Sequence, residues 1–218
     1  MTGMSEYLKI YQELGAEFLL APVPQGREAR LRDVHNRIGR CRNCRLHESK
    51  THYVPGEGSA DPDILFIGEG PGETEDRFGR PFIGKAGQLL DKIIAKMGYS
   101  RSSVFIANIV KCRPPNNREP DPDEVNACLP YLREQIGILA PRAIVCLGKT
   151  ALNNLIGLDE GITRTRGRRF EFQGIPVIGT YHPSFILHKK EEKEITQAKW
   201  EVWEDMEKVL ALFGKKTP

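Results

Sequence analysis

Cys41 and Cys44 form a C-x2-C pair, and Cys112 and Cys128 follow far downstream. Cys112 comes after an apolar run, Val104 to Val110, and Cys128 sits within a helix-like stretch. Thiolate is the soft ligand that both zinc and iron–sulfur clusters prefer. Free cysteine is otherwise a small core residue, but Arg40, Arg42, Arg45 and Arg113 crowd three of these four and argue against apolar burial. The set therefore reads as a four-thiolate centre, zinc or iron–sulfur, and spacing alone does not choose between them. Cys146, inside the run Ala143 to Leu147, reads as plain core.

A second group of chemically capable residues stands where apolar runs end. The run Asp63 to Ile67 leads into Gly68-Glu69-Gly70-Pro71-Gly72, with Glu73, Glu75 and Asp76 close behind. A glycine turn lets backbone approach a ligand closely. Neither the P-loop pattern nor G-x-G-x-x-G is met, and so many acids would repel a pyrophosphate. Asn108 interrupts a strand of Val, Phe, Ile and Ala, and a buried amide must find partners. Its oxygen and NH2 suit a donor beside an acceptor, as on a pyrimidine edge. His182 opens His-Pro-Ser after the last strand-like run, and Phe82 lies in a rigid loop, Gly79 to Gly84, fit to stack on a base. An amide, an imidazole and a glycine turn at three strand ends predict one pocket, because open α/β sheets bind ligands there.

The elements that must hold these groups alternate. Helices are expected over 27–39, 86–97, 121–139, 149–156 and about 191–213. Pro122 opens the third of these, and Pro130 should bend or interrupt it. Strands are expected over 63–67, 104–110, 143–147, 170–172 and 177–180, the last two joined through Gln173-Gly174. Alternation of this kind predicts a parallel α/β sheet covered on both faces. Residues 5–20 show helical spacing, and Pro22, Pro24 and Gly26 follow. Residues 1–26 thus read as a helical extension and linker, and 27–218 as the domain.

At 218 residues the chain can bury a full core, and a formal charge of +3 says little by itself. The arginines are clustered, however: over 27–45, at Arg164, Arg166, Arg168 and Arg169, and with Lys111, Arg113 and Arg118. Guanidinium groups grip phosphate bidentately, so the clusters point to a polyanion. Met1 to Glu6 lacks a basic segment leading into an apolar run, and no stretch has the length to span a bilayer. The expectation is a reducing cytoplasm and no membrane, a setting in which C-x2-C binds metal more often than it forms a disulfide.

Taken together, G-E-G-P-G-E-T-E-D (68–76), G-R-P-F-I-G-K-A-G (79–87), N-I-V-K-C-R-P-P-N-N-R (108–118) and H-P-S (182–184) resemble the iron–sulfur, or family 4, uracil-DNA glycosylases. The resemblance runs from about Arg40 to Leu187. It implies a three-layer α/β/α sandwich around a mostly parallel sheet, and a 4Fe-4S cluster on Cys41, Cys44, Cys112 and Cys128. It further implies a monomeric enzyme that flips uracil out of DNA, single- or double-stranded, and hydrolyses its N-glycosidic bond.

The same resemblance assigns roles. Phe82 stacks on the base, Asn108 reads its edge, and His182 donates toward O2 as the bond breaks. Gly68, Glu69 and Gly70 supply backbone around the base, and Glu75 crowds its C5 side. Gly70 stands where better-known relatives carry a water-positioning acid, which leaves Glu69 as the expected replacement. Ile186 or Leu187 is expected to wedge into the vacated stack, with Arg164, Arg166 and Arg118 on phosphates. Two other readings remain: a covalent uracil-DNA binder, and a non-catalytic iron–sulfur nucleic-acid-binding redox protein. The first needs a histidine on the loop after Asn108, and residues 114–120 contain none.

Overall fold

A computed structural model describes residues 26–214. The expected helix at 5–20 lies outside them. Six strands form one sheet in the order β1-β3-β2-β4-β6-β5. They are β1 (Glu57–Gly58), β2 (Ile64–Gly68), β3 (Phe105–Asn108), β4 (Ala143–Leu147), β5 (Arg169–Phe172) and β6 (Ile175–Thr180). The four inner strands run parallel, and the two edge strands pair antiparallel. β2, β3 and β4 are buried along their whole length, which is why they read as unbroken apolar runs.

Alternate side chains feed two cores. Leu65, Ile67, Phe105, Ala107, Ile144 and Cys146 pack beneath α1 (Arg27–Ile38), α5 (Pro122–Leu139) and α6 (Lys149–Ile156). Ile64, Phe66, Ile106 and Val145 face the other way, toward α4 (Lys85–Lys96) and α9 (Glu192–Ala211). The result is the three-layer sandwich that the alternation predicted. Short helices α2 (Leu46–Ser49), α3 (Glu73–Phe78), α7 (Ile162–Thr165) and α8 (Pro183–Leu187) fill connections that read as loops in the sequence.

Pro130 does not interrupt its helix. α5 runs through Pro130 as a single element. Pro130 is exposed while Cys128, Leu129 and Leu132 are buried, so packing on the opposite face holds the helix together despite the missing N–H. Asp121 caps this helix in a capping box with Glu124. The β5–β6 turn uses Gln173 and Gly174 with φ of +52° and +80°, the left-handed pair that a two-residue hairpin requires.

Candidate active site and thiolate centre

The parallel strands deliver their C-terminal ends to one cleft of about 590 Å³. Glu69, Gly70, Glu75, Phe82, Asn108 and His182 all line it. β2 and β3 pair in register at Gly68 and Asn108, so the glycine turn starts beside the amide. Gly68 has to be glycine: a Cβ there would lie 2.5 Å from both Asn108 Oδ1 and Phe82 Cζ. At the end of β4, Gly148 adopts φ +95° and a Cβ on it would come within 3.2 Å of the His182 Cβ. The strand ends are thus stripped of side chains where the site's own groups converge.

Asn108 is buried, and its Oδ1 has no hydrogen-bond partner. A buried acceptor left unpaired is costly, so it marks a place where a ligand's N–H would be stabilised. The Phe82 ring is beside it. Glu75 Oε1 accepts from the backbone N–H groups of Ile83 and Gly84, at 2.9 and 2.8 Å, and so anchors the loop that carries Phe82.

His182 N-caps α8. Ser184 N–H donates to its Nδ1 at 3.2 Å, and the Ser184 hydroxyl lies 2.6 Å from the same nitrogen. A backbone N–H can only donate, so Nδ1 is the acceptor and the neutral ring carries its proton on Nε2. Burial lowers the imidazole pKa to about 4, with the Glu75 carboxylate opposing the shift. At neutral pH the cleft therefore contains an uncharged Nε2–H donor.

Glu69 belongs to a smaller group that the sequence did not announce. Thr150, in the first turn of α6, donates its hydroxyl to Glu119 Oε1 at 2.9 Å. Burial raises the pKa of Glu69, Thr150 opposes that shift as a hydrogen-bond partner, and Glu119 adds to it. Thr150 lies at the start of a helix and Glu119 in a loop 31 residues earlier, so only the fold brings them together.

The remaining expected residues divide. Arg164 and Leu187 are exposed, Leu187 at 46%. Ile186 is 4% exposed and packs with Tyr181, Ala198 and Val202, so the structure puts it in the core, and of the two expected wedge residues only Leu187 is exposed. Arg166 is turned inward onto Asp205 and Glu204 rather than outward to phosphate. Arg118 grips Glu124 and Asp121. Lys111 is likewise lost to the phosphate group: it is 1% exposed and donates to the Asn108 carbonyl and to Gln135 Oε1.

Cys41, Cys44, Cys112 and Cys128 line one small cavity on the α1/α5 side of the sheet. Lys111 N–H donates to Cys128 Sγ at 3.2 Å. Burial pushes the Cys112 and Cys128 thiols up to about 12 and about 11, so an electropositive partner is needed to hold them as thiolates. No group of three His, Cys, Asp or Glu among the described residues closes on a single metal ion. A four-iron cube takes one thiolate at each iron, so its cysteines stand apart around a shared space. Four cysteines around one cavity are a donor set that suits such a cluster.

Comparison with known proteins gives the same answer as the cleft. The family model described as "UDG: Uracil DNA glycosylase superfamily" matches residues 55–207. A type-4 uracil-DNA glycosylase of Archaeoglobus fulgidus is 42% identical over 196 residues, 86% of this chain and 96% of that protein. One from Thermotoga maritima is 44% identical over 192 residues, 87% of this chain and 98% of that protein. A third, from Pyrobaculum aerophilum, is 46% identical over 167 residues, covering 73% and 85%. The chain belongs to the uracil-DNA glycosylase superfamily and, within it, to the type-4 enzymes.

Proposed function

We propose that this chain is a DNA-repair uracil-DNA glycosylase that reads a flipped-out uracil with Asn108, stacks it on Phe82 and stabilises the departing base with His182. The observation that carries the site reading is the unpaired Asn108 Oδ1 in a cleft shared with Phe82 and His182. Uracil offers N3–H to that oxygen and O4 to the amide NH2. Cytosine presents an acceptor and a donor in the reverse order, so it leaves both groups mismatched.

The bond between C1′ and N1 breaks with its electron pair going to the base. The sugar becomes oxocarbenium-like, and negative charge spreads onto the uracil O2. A neutral His182 Nε2–H directed at O2 stabilises charge that exists only in the transition state. Glu69, Glu75 and Glu119 add anionic character to the cleft, which favours the cationic sugar. Water then adds to C1′ and loses a proton. Glu69, with its raised pKa and its Thr150 and Glu119 neighbours, is the group we assign to take it. Gly68 and Gly70 bring backbone close to the base, and Glu75 occupies the side toward C5.

Cys41, Cys44, Cys112 and Cys128 are the residues that would hold a 4Fe-4S cluster. When bound, such a cluster supplies a covalent tie between the α1–α2 segment, the loop after β3 and α5. Leu187 is assigned as the wedge and Arg164 as a phosphate contact, on a monomer acting in the cytoplasm. No helix among the described residues is long and apolar enough to cross a membrane.

Excision of uracil from a labelled oligonucleotide, read as alkali-labile strand breaks, tests the assignment. Asn108→Ala and His182→Ala should each lose activity while keeping DNA binding. An SDS-resistant protein–DNA adduct would instead indicate a covalent binder, and DNA binding without excision a redox or sensing role.

A further inference from the structure

Phe82 has an unusual backbone. Its φ is +50°, a conformation that a bulky residue enters only when its surroundings force it. The forcing groups are visible on both sides. Arg101 Nη1 donates to the Phe82 carbonyl at 2.9 Å, and Arg101 Nη2 donates to the Pro81 carbonyl. On the following residues, Glu75 holds the N–H groups of Ile83 and Gly84. Gly87 completes the seat, because a Cβ there would fall 1.8 Å from the Phe82 oxygen.

Arg101 is itself aimed from two directions. Its guanidinium pairs with Glu57 on the edge strand β1 and with Asp91 on α4. It comes from the turn between α4 and β3 and stays largely buried, with a side chain 20% exposed. Two carboxylates fix the fork, and the fork fixes two carbonyls. A lysine in its place could keep a charge between Glu57 and Asp91, but a single ammonium cannot reproduce the planar multi-donor geometry.

We propose that Arg101 is a positioning residue for base recognition: by clamping the Pro81 and Phe82 carbonyls it holds Phe82 in the left-handed conformation that presents its ring beside Asn108. The proposal rests on the reading of Phe82 as the stacking surface. Arg101 acts through Phe82 and is not among the residues that line the cleft.

The test is a double-mutant cycle on uracil excision, with kcat/KM measured for wild type, Arg101→Gln, Phe82→Ala and the double variant. Arg101→Gln should cost roughly tenfold or more in the wild-type background, as misplaced positioning groups do. It should add nothing in the Phe82→Ala background, where there is no ring left to place. Arg101→Lys should recover part of the loss, and it carries the cycle if Arg101→Gln does not fold. A merely structural arginine would give the same loss with or without the ring, so multiplicative effects, or no effect of Arg101→Gln, overturn the proposal while leaving the glycosylase reading intact. If Phe82→Ala costs nothing while Asn108→Ala abolishes excision, the stacking role falls and the clamp falls with it.

Discussion

The rings of Phe82 and His182 stand 5.6 Å apart, centroid to centroid, and are tilted by 40°. A base sandwiched between them would need roughly 7 Å, two van der Waals contacts of about 3.5 Å. The two rings therefore do not form two slices around the base. On the proposed reading Phe82 takes a face of the base, and the tilted imidazole would meet an edge, where its Nε2–H could reach a carbonyl oxygen. This division makes His182 a hydrogen-bond donor, and its protonation state becomes measurable.

Burial holds the His182 pKa at about 4, so the ring is neutral through the physiological range. Single-turnover excision should be insensitive to His182 between pH 6 and 8 and should fall as the pH drops through about 4 to 5, where protonation of Nδ1 breaks the Ser184 N–H contact that orients the ring. Over the same interval the unfolded chain, with an ordinary histidine value of 6.5, binds the proton before the folded one does. Stability from this group is thus complete above 6.5 and declines as pH falls toward 4. A circular-dichroism control separates the two effects. An activity that rises steadily on acidification from pH 8 to 6 would identify a charged imidazole instead.

Gly68→Ala should abolish excision without unfolding the sheet. The added methyl would stand 2.5 Å from Asn108 Oδ1 and from the Phe82 ring, filling the space where the base is read. A loss of at least about 100-fold in kcat/KM is expected from displacement of groups that must be placed within about an ångström. Gly137→Ala serves as the control. It lies on the exposed face of α5 with nothing within 4 Å of the new methyl, and should leave activity alone while raising stability by about 0.5–1 kcal/mol. A Gly68→Ala enzyme with wild-type turnover would remove the cleft from the reaction.

Much of this architecture was readable because strong patterns coincided with strong boundaries. β4 and α6 begin and end at the bounds expected for them, 143–147 and 149–156. β1 was invisible: a Glu-Gly pair has no strand pattern, and it exists only because β3 offers it an edge. In the site, Asn108, His182 and Phe82 stood out as polar or aromatic exceptions at strand ends. Arg101, Thr150 and Glu119 did not, because polar residues of ordinary surface type acquire meaning only when the fold brings them onto a particular carbonyl or carboxylate. Ile186 and Lys111 were misjudged for a related reason. Side-chain direction on a short helix, and burial of a cation beneath a strand end, follow from tertiary packing and leave no mark on local sequence.

Glu124 should make the protein acid-sensitive. Its carboxylate is buried at the start of α5 and accepts from Arg118 and Arg45, while the Asp121 N–H closes the capping box. Arg118 first, with the Asp121 N–H and Arg45 helping, holds its pKa near 2 against the opposing effect of burial. A depressed carboxylate contributes stability that is complete above about 4.5 and is lost as the pH falls toward 2. Glu124→Gln should flatten the stability–pH curve below pH 5 and lower the melting temperature at pH 7. An unchanged slope between pH 5 and 3 would show that the carboxylate does not drive acid unfolding.

Arg45 follows Cys44 directly, so the same ion-pair group braces the segment that supplies half of the thiolate centre. α1 packs on α5 through Leu31, Val34 and Ile38, but between Gly39 and Lys50 only Leu46 is buried hydrophobic core. A segment with so little core needs another tie, and the proposed cluster on Cys41 and Cys44, closed by Cys112 and Cys128, would supply it. Purified protein should be brown, and Cys41→Ser should bleach it and lower the melting temperature by several degrees, the scale expected for about 1–2 kcal/mol in a domain of this size. Limited trypsinolysis should then cut first among Arg40, Arg42 and Arg45, while the excision cleft fails only as the loop after Asn108, which carries Cys112, loosens. A bleached Cys41→Ser protein with unchanged melting and unchanged cleavage would show that the four thiols bear no structural load.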